Sequence, residues 1–346
     1  MNQNMGTYFF ILGTSFFVLF IINLVWLGLN IFSWSVDGVE SYLSARIVAI
    51  EDLYYSMYIK WILFFDFIWI LCFLAFLFKR KNFMTDSALH YLSFNKIENP
   101  SVCVIIPVYN EEKSITKIVN EIKEQKFVSS VLVIDNHSSD NSASLAKACG
   151  ATVITKDKNM GYAHSWWLGF SEAVKQDANI IAFFDSDDTY NAYDLEKMIP
   201  YLDNCDIVIG NRLVQALSQK GNQNNIFLSW GNAFIAKLFQ IKYINFRHLG
   251  FVHLNDVGCT FRLFRKESLR KIIGGFKDPK TGNLAFGCNY ITVGMFTTAK
   301  AIEKNLKIVE IPVTFKKRTG KSKTCASKLS NALYYGFYMI WYILKS

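Results

Sequence analysis

The run IIAFFDSDDTY at residues 180–190 passes from a short apolar segment straight into three carboxylates, Asp185, Asp187 and Asp188. Carboxylates two apart in an extended turn, here Asp185 and Asp187 on either side of Ser186, can direct oxygens to one hard divalent cation. Mg2+ or Mn2+ held this way keeps positions open for phosphate oxygens. An Asp-x-Asp pair is common, so its meaning comes from where it stands. Two other polar groups also follow apolar runs: Pro107-Val108-Tyr109-Asn110-Glu111 ends VCVIIPV, and Asp135-Asn136 ends VLVI.

Those runs belong to a series. From about Pro100 the chain alternates β-rich segments (VCVIIPV, VLVID, TVIT, IIAFFD, DIVIG) with helical ones (KSITKIVNEIKEQ, DNSASLAKAC, GYAHSWWLGFSEAVKQ, AYDLEKMIPYL). This β/α alternation predicts an α/β domain with a largely parallel sheet flanked by helices. Ligands of such sheets bind beyond the carboxyl ends of the strands, so the three polar groups should converge on one crevice. The predicted occupant is a metal-bound diphosphate, with Asp185 and Asp187 as the metal ligands.

A later segment, DVGCTFRLFR from Asp256 to Arg265, places Arg262 and Arg265 on a predicted strand. Two guanidinium groups beside a metal-bound diphosphate call for a further anion, and Arg matches phosphate with paired donors. A second phosphate group would be that anion. After the strand KIVEIPVTF, the loop KKRTGKSK carries Arg318, Lys321 and Lys323, which could close over the phosphates.

With 51% hydrophobic and 16% aromatic residues in 346, the chain exceeds the apolar share of a soluble domain. Tyr8 to Phe32 is uncharged and long enough at about 1.5 Å per residue to cross about 30 Å of hydrocarbon. A second apolar run, about Met57 to Phe78, ends in Lys79, Arg80 and Lys81, which the positive-inside tendency holds in the cytoplasm. The expectation is a transmembrane hairpin over 1–82 (helices about 8–32 and 57–78), a linker at 83–99, and a cytoplasmic catalytic domain at 100–325. A membrane-interface helix follows at 326–346. Residues 226–245 mix aromatics with Lys237 and Lys242 and read as another interfacial helix. The net charge of +9 fits phosphate and an anionic bilayer, because no basic block is interleaved with stacking aromatics as nucleic acid would require. Seven scattered cysteines without a CxxC pair suit reduced thiols, and five histidines without zinc spacing offer no metal set.

In that order, IIPVYNEEKSI, VLVIDNHSSDNS, KNMGYAHSWWLGFSEA, FFDSDDTYNAYDLEKMI, VIGNR, DVGCTFRLFRKESL and KIVEIPVTFKKRTGKSK resemble the inverting family 2 glycosyltransferases. The nearest subgroup is the dolichol- or polyprenyl-phosphate sugar synthases. The resemblance covers about Ser101 to Lys323. It implies a GT-A Rossmann-like nucleotide-sugar fold, a UDP- or GDP-linked sugar donor, a divalent metal and a polyprenyl phosphate acceptor at the bilayer. An acceptor phosphate is already anionic and would attack without a general base; if the acceptor is instead a sugar hydroxyl of a glycan or glycolipid, Asp256 or Asp188 is the candidate base. Carried onto this sequence, Pro107, Tyr109 and Glu111 cradle base and ribose, and Asp135 accepts a hydrogen bond from the base. Asn159 and Gly161 lie near the ribose, Asp185 and Asp187 hold metal and diphosphate, and Arg212 faces the donor phosphates. Asp188 stands where many relatives have Gly, so it or Asp187 is the stronger ligand. The segment FGCNYITVGMFTTA lacks a Glu that related enzymes carry there.

Overall fold

The computed structural model describes residues 94–222, 226–244, 253–285, 287–288, 292–320 and 329–345, with isolated positions before residue 94. Contacts divide the chain into two compact units, Met1–Asn82 with Asn245–Gly250, and Phe83–Ile244 with Phe251–Ser346. Every element named below belongs to the second. The two runs read as a membrane hairpin lie outside the described residues, apart from isolated helical positions such as Val25, Phe32, Phe64 and Phe67, as do Lys321 and Lys323. Among the described residues no helix is long and apolar enough to cross a membrane.

Seven strands form one sheet: β1 (Val102–Val108), β2 (Val128–Asp135), β3 (Thr152–Thr155), β4 (Ile180–Phe183), β5 (Ile207–Asn211), β6 (Arg262–Arg265) and β7 (Ile308–Pro312), in the order β3-β2-β1-β4-β6-β5-β7. Strands β3, β2, β1 and β4 run parallel. β6 is antiparallel to both β4 and β5, and β7 is parallel to β5. The sheet is therefore mixed rather than parallel throughout. All seven residues of β1 are buried, as a strand covered by helices on both faces requires.

Among the described residues the α-helices of this unit are α1 (Ile115–Lys123), α2 (Ser142–Ala148), α3 (Tyr162–Ala173), α4 (Asp194–Met198), α5 (Ile226–Lys242), α6 (Lys266–Ile273), α7 (Val293–Glu303) and α8 (Leu329–Lys345). In α1, Ile115, Ile118, Val119 and Ile122 form the buried stripe, the i, i+3, i+4, i+7 spacing of a helix laid on a sheet. Full burial of such side chains stabilises by about 1.5–3 kcal/mol each. In α3, Trp166 stacks on Phe183 of β4 with ring centroids 3.8 Å apart. A Cβ at Gly169 would meet Ile105 Cγ2 at 2.5 Å, so only glycine lets α3 sit this close to β1.

The chain leaves β1 toward β2 and β3, then returns to β4 on the other side of β1. That reversal is the topological switch point where open α/β sheets place their ligand crevice. The turn after β1 and the acidic turn after β4 flank it. Lys242 of α5, fully buried, donates to the carbonyl of Ile343 in α8 and fastens the two helices together. It serves as an internal tie rather than the interfacial charge read from sequence.

Candidate active site

One cavity of about 970 Å³ opens at the switch point. Its polar end is lined by Pro107, Tyr109, Glu111, Asn159, Gly161, Asp185, Ser186, Asp187, Arg212 and Arg318, so ten of the residues singled out from sequence meet around one space. Gly161 takes φ +84 at the start of α3, a left-handed conformation that glycine adopts without a Cβ clash. Asn159 Oδ1 accepts from Asn136 Nδ2 at 2.7 Å and from the Gly161 amide at 3.0 Å, which sets the bend of this loop against the end of β2.

Asp185 follows β4 and is held from two sides. Tyr162 Oη donates to its Oδ1 at 2.6 Å and Thr260 Oγ1 to its Oδ2 at 2.5 Å. Burial, with the Asp187 charge adding to it, pushes the Asp185 carboxyl up to about 6. Asp187 accepts from Thr189 Oγ1 at 2.6 Å and from Arg318 Nη1 at 2.8 Å, while Arg318 Nη2 donates to Glu111 Oε1 at 2.6 Å. Arg318 thus bridges two carboxylates across the mouth of the crevice, and its Nε is buried without an acceptor.

These donors suit a hard divalent cation. Asp185 resists ionisation because it is buried and because the Asp187 charge is close, and a bound cation would relieve both effects. Among the described residues no group of three or more His, Cys, Asp or Glu assembles a metal cage. Asp185 and Asp187 are the carboxylates that would hold such a cation, and Mg2+ commonly completes its ligand set with water and phosphate.

Several expected roles do not match the geometry. Asp188 adopts φ +62, which turns it out of the cavity onto Lys117 Nζ (2.6 Å) and Lys316 Nζ (2.8 Å). Burial raises its pKa, but the two ammonium groups outweigh this and hold the carboxyl below its ordinary value. Asp188 is a clamp between α1 and the loop after β7, neither metal ligand nor base.

Asp256 is wholly buried, accepting from Arg212 Nε and Nη2 at 2.7 Å each and from Asn232 Nδ2 at 2.8 Å. Burial pushes it up, yet the Arg212 guanidinium prevails and holds it low. It positions Arg212 instead of taking protons. Arg262 is also wholly buried, donating to the carbonyls of Cys259 and Val257 and to Thr298 Oγ1. Burial draws its pKa down to about 10. Arg265 donates to the carbonyls of Leu202, Cys205 and Asn95 at the far end of β6. Residues three apart on a strand point to opposite faces, and Arg262 pairs with Phe183 while Arg265 pairs with Ile180. The two arginines therefore cannot grip one anion.

Asp135, 1% exposed, sits just behind the cavity and accepts the Ser138 amide at 3.1 Å. Asn110, at φ +53, likewise does not line the cavity, and its Oδ1 accepts from the Ser139 amide at 2.8 Å, joining the turns after β1 and β2. Sequence reasoning passed over Tyr162, Thr260 and Lys156. Lys156 is buried, donates to Ser165 Oγ at 2.8 Å and to the Gly161 carbonyl, and burial pulls it down to about 8. No local spacing marks these residues, because their partners come from other elements.

A family profile described as glycosyl transferase family 2 matches residues 103–273. The protein RfbJ of Shigella flexneri is 37% identical over 136 residues, 39% of this chain and 94% of RfbJ. The chain belongs to glycosyl transferase family 2. The polyprenol monophosphomannose synthase of Mycolicibacterium smegmatis is similar to this family 2 glycosyltransferase at 26% identity, over 67% of this chain and 83% of that one. Among solved structures, glucosyl-3-phosphoglycerate synthase from Mycobacterium tuberculosis, in complex with Mn2+, UDP and phosphoglyceric acid, matches with a TM-score of 0.50 at 14% identity. That match covers 71% of this chain and 79% of the other. The likeness is one of fold, and the enzyme has the GT-A arrangement, with its acidic turn after β4 at the switch point.

Proposed function

We propose that this family 2 glycosyltransferase moves a sugar, with inversion, from a UDP- or GDP-linked donor to a polyprenyl phosphate. Residues 8–32 and 57–78 anchor it as a hairpin, with the catalytic domain on the cytoplasmic side. One observation carries the reading: the cavity that begins at Asp185 and Asp187 continues between α5 and α8, where Leu228, Phe234, Ile235, Leu333, Met339 and Ile340 line it. A phosphate headgroup on a long apolar chain matches that change from polar to apolar lining. The same helices expose Trp230 (71%) and Phe337 (67%) at the rim of the cavity, and Tyr334 (66%) and Trp341 (57%) outside it. In α8 these recur at helical spacing, the pattern of a helix lying in a membrane interface. The similarity to a polyprenol monophosphomannose synthase supports the acceptor class.

The chemistry follows from what the side chains can and cannot do. Tyr109 and Pro107 form one wall for the nucleotide, and Asn159 and Gly161 another. Asp185 and Asp187 would hold the divalent cation, whose contribution is to neutralise charge on the departing diphosphate. Arg212, fixed by Asp256, offers its remaining N–H groups to the phosphates. As a donor enters, Arg318 exchanges its carboxylate partners for phosphate oxygens. An oxygen of the acceptor phosphate attacks the anomeric carbon while the bond from that carbon to the donor diphosphate breaks. No base is required, since the nucleophile is already anionic. This agrees with Asp188 and Asp256 both being committed to cations.

Purified full-length protein with Mg2+ or Mn2+, labelled nucleoside diphosphate sugars and a polyprenyl phosphate should transfer label into the organic phase. Transfer to a sugar hydroxyl but never to a polyprenyl phosphate would overturn the proposal. Replacing Tyr334 and Trp341 together by Glu should raise KM for a long-chain acceptor in bilayers at least about tenfold, equivalent to roughly 1.4 kcal/mol. Affinity for the nucleotide should stay unchanged. An unaltered acceptor KM would remove this face from the membrane interface.

A further inference from the structure

Glu310 lies on β7, paired in register with Ile209 of β5, and its carboxylate is surrounded by amide N–H donors. Oε1 accepts the Asp256 amide at 2.7 Å and the Asn255 amide at 3.1 Å; Oε2 accepts the Asn255 amide at 3.0 Å, Asn255 Nδ2 at 3.2 Å and Asn211 Nδ2 at 3.0 Å. The carboxylate therefore gathers both backbone N–H groups of the turn that carries Asp256. It also gathers the side chain of the last residue of β5, immediately before Arg212.

The next step leads back to the crevice. Asp256 Oδ2 accepts both the Arg212 amide (3.0 Å) and Nε (2.7 Å), and Oδ1 accepts Nη2 (2.7 Å). This bidentate grip leaves Nη1 and the outer hydrogen of Nη2 to meet the cavity that Arg212 lines. Glycine at 258 leaves the guanidinium its place: a Cβ added there would stand 3.2 Å from Arg212 Nη2 and 3.2 Å from Asn232 Oδ1.

We propose that Glu310 is a positioning residue for the donor phosphates, acting through the Asn255-Asp256 turn to fix where Arg212 points its free N–H groups. The inference rests on the reading of Arg212 as a donor-phosphate ligand. Its physical basis is that fixed donors bind an anion without paying to reorganise. A carboxylate accepting from two adjacent backbone amides holds a turn more firmly than a neutral side chain can. Glutamine keeps the size but offers one acceptor oxygen, and its NH2 is set against N–H groups that need acceptors.

The test is a double-mutant cycle on the full-length chain using Glu310→Gln and Arg212→Lys. Binding of UDP and of GDP is followed by calorimetry in Mn2+, together with acceptor KM. Lysine preserves the charge opposite Asp256 but loses the planar fork. Glu310→Gln should weaken whichever nucleotide binds about tenfold and leave acceptor KM within about twofold. In the Arg212→Lys background it should add less than about twofold, because the residue it acts through is already gone. Glu310→Asp, which retains the charge, should fall between wild type and Gln and replaces it if Gln does not fold. Multiplying effects, or a loss of kcat at unchanged nucleotide affinity, would reduce Glu310 to a fold-stabilising residue. If Arg212→Lys alone leaves nucleotide affinity intact, the reading of the site fails as well.

Discussion

Replacing Asp185 by Asn is expected to cost at least about 10²–10³-fold in glycosyl transfer, the usual scale for removing one charge-stabilising group from a reacting centre, and yet to raise thermal stability in chelator at pH 7. The second effect follows from the crowding at the acidic turn. Folding lifts the Asp185 carboxyl from an ordinary 3.8 to about 6, chiefly by burial and then by the Asp187 charge. A carboxyl raised in this way binds its proton more tightly in the folded chain than in the unfolded one. Its contribution is fully present below about pH 4, falls as pH rises through about 6, and is flat above that. At neutral pH the metal-free protein therefore carries an ionised group that opposes folding.

Asparagine removes the charge and keeps the shape, and the hydroxyls of Tyr162 and Thr260 can turn from donating to accepting. The stability gain should accordingly appear above about pH 6 and shrink to nothing by about pH 4. Mn2+ should raise the unfolding temperature of wild type but not of the variant. Scans at pH 4 and pH 7.5, each with chelator and with Mn2+, check all four corners. A variant less stable than wild type in chelator at pH 7.5 would show that the carboxylate contributes hydrogen bonds worth more than its charge costs.

How much of this was legible beforehand depended on whether a signal was local. Asp185 and Asp187 were legible because an apolar run that ends in carboxylates is a strand end, and strand ends of α/β sheets face the ligand. The turn at Tyr109 and Glu111 was legible for the same reason. Strand direction was not, because alternation of side chains is the same for either polarity. β6 therefore slipped between β4 and β5 as an antiparallel strand, taking Arg262 into the core and Arg265 to the opposite end. Asp188 was misread because a positive φ leaves no trace in residue type beyond a tolerance for Asp and Asn; the same turn built on glycine would have announced itself. Tyr162, Thr260 and Glu310 were hidden by distance along the chain, as Thr260 reaches Asp185 from 75 residues away.

The largest structural effect should come from Asp256→Ala. It leaves Arg212, whose side chain is only 19% exposed, without either of its carboxylate bonds, and an uncompensated buried charge costs about 3–5 kcal/mol. For a catalytic domain of this size that corresponds to a fall in unfolding temperature on the order of 10 °C. Asp256→Asn should cost less, since the amide oxygen still accepts from Arg212. Asp188→Asn offers the internal contrast: it also breaks pairs to two cations, but Lys117 is 53% exposed and its freed ammonium is taken up by water. Exposed pairs contribute about 0–1 kcal/mol, and although Lys316 is less open at 26% it too reaches solvent, so that variant should lose clearly less than Asp256→Ala, about 2–4 °C. Equal losses in the two variants would mean that burial of the Arg212–Asp256 pair is not what makes it costly to break. A larger loss at Asp188 would instead make the clamp between α1 and the loop after β7 the principal support of the crevice.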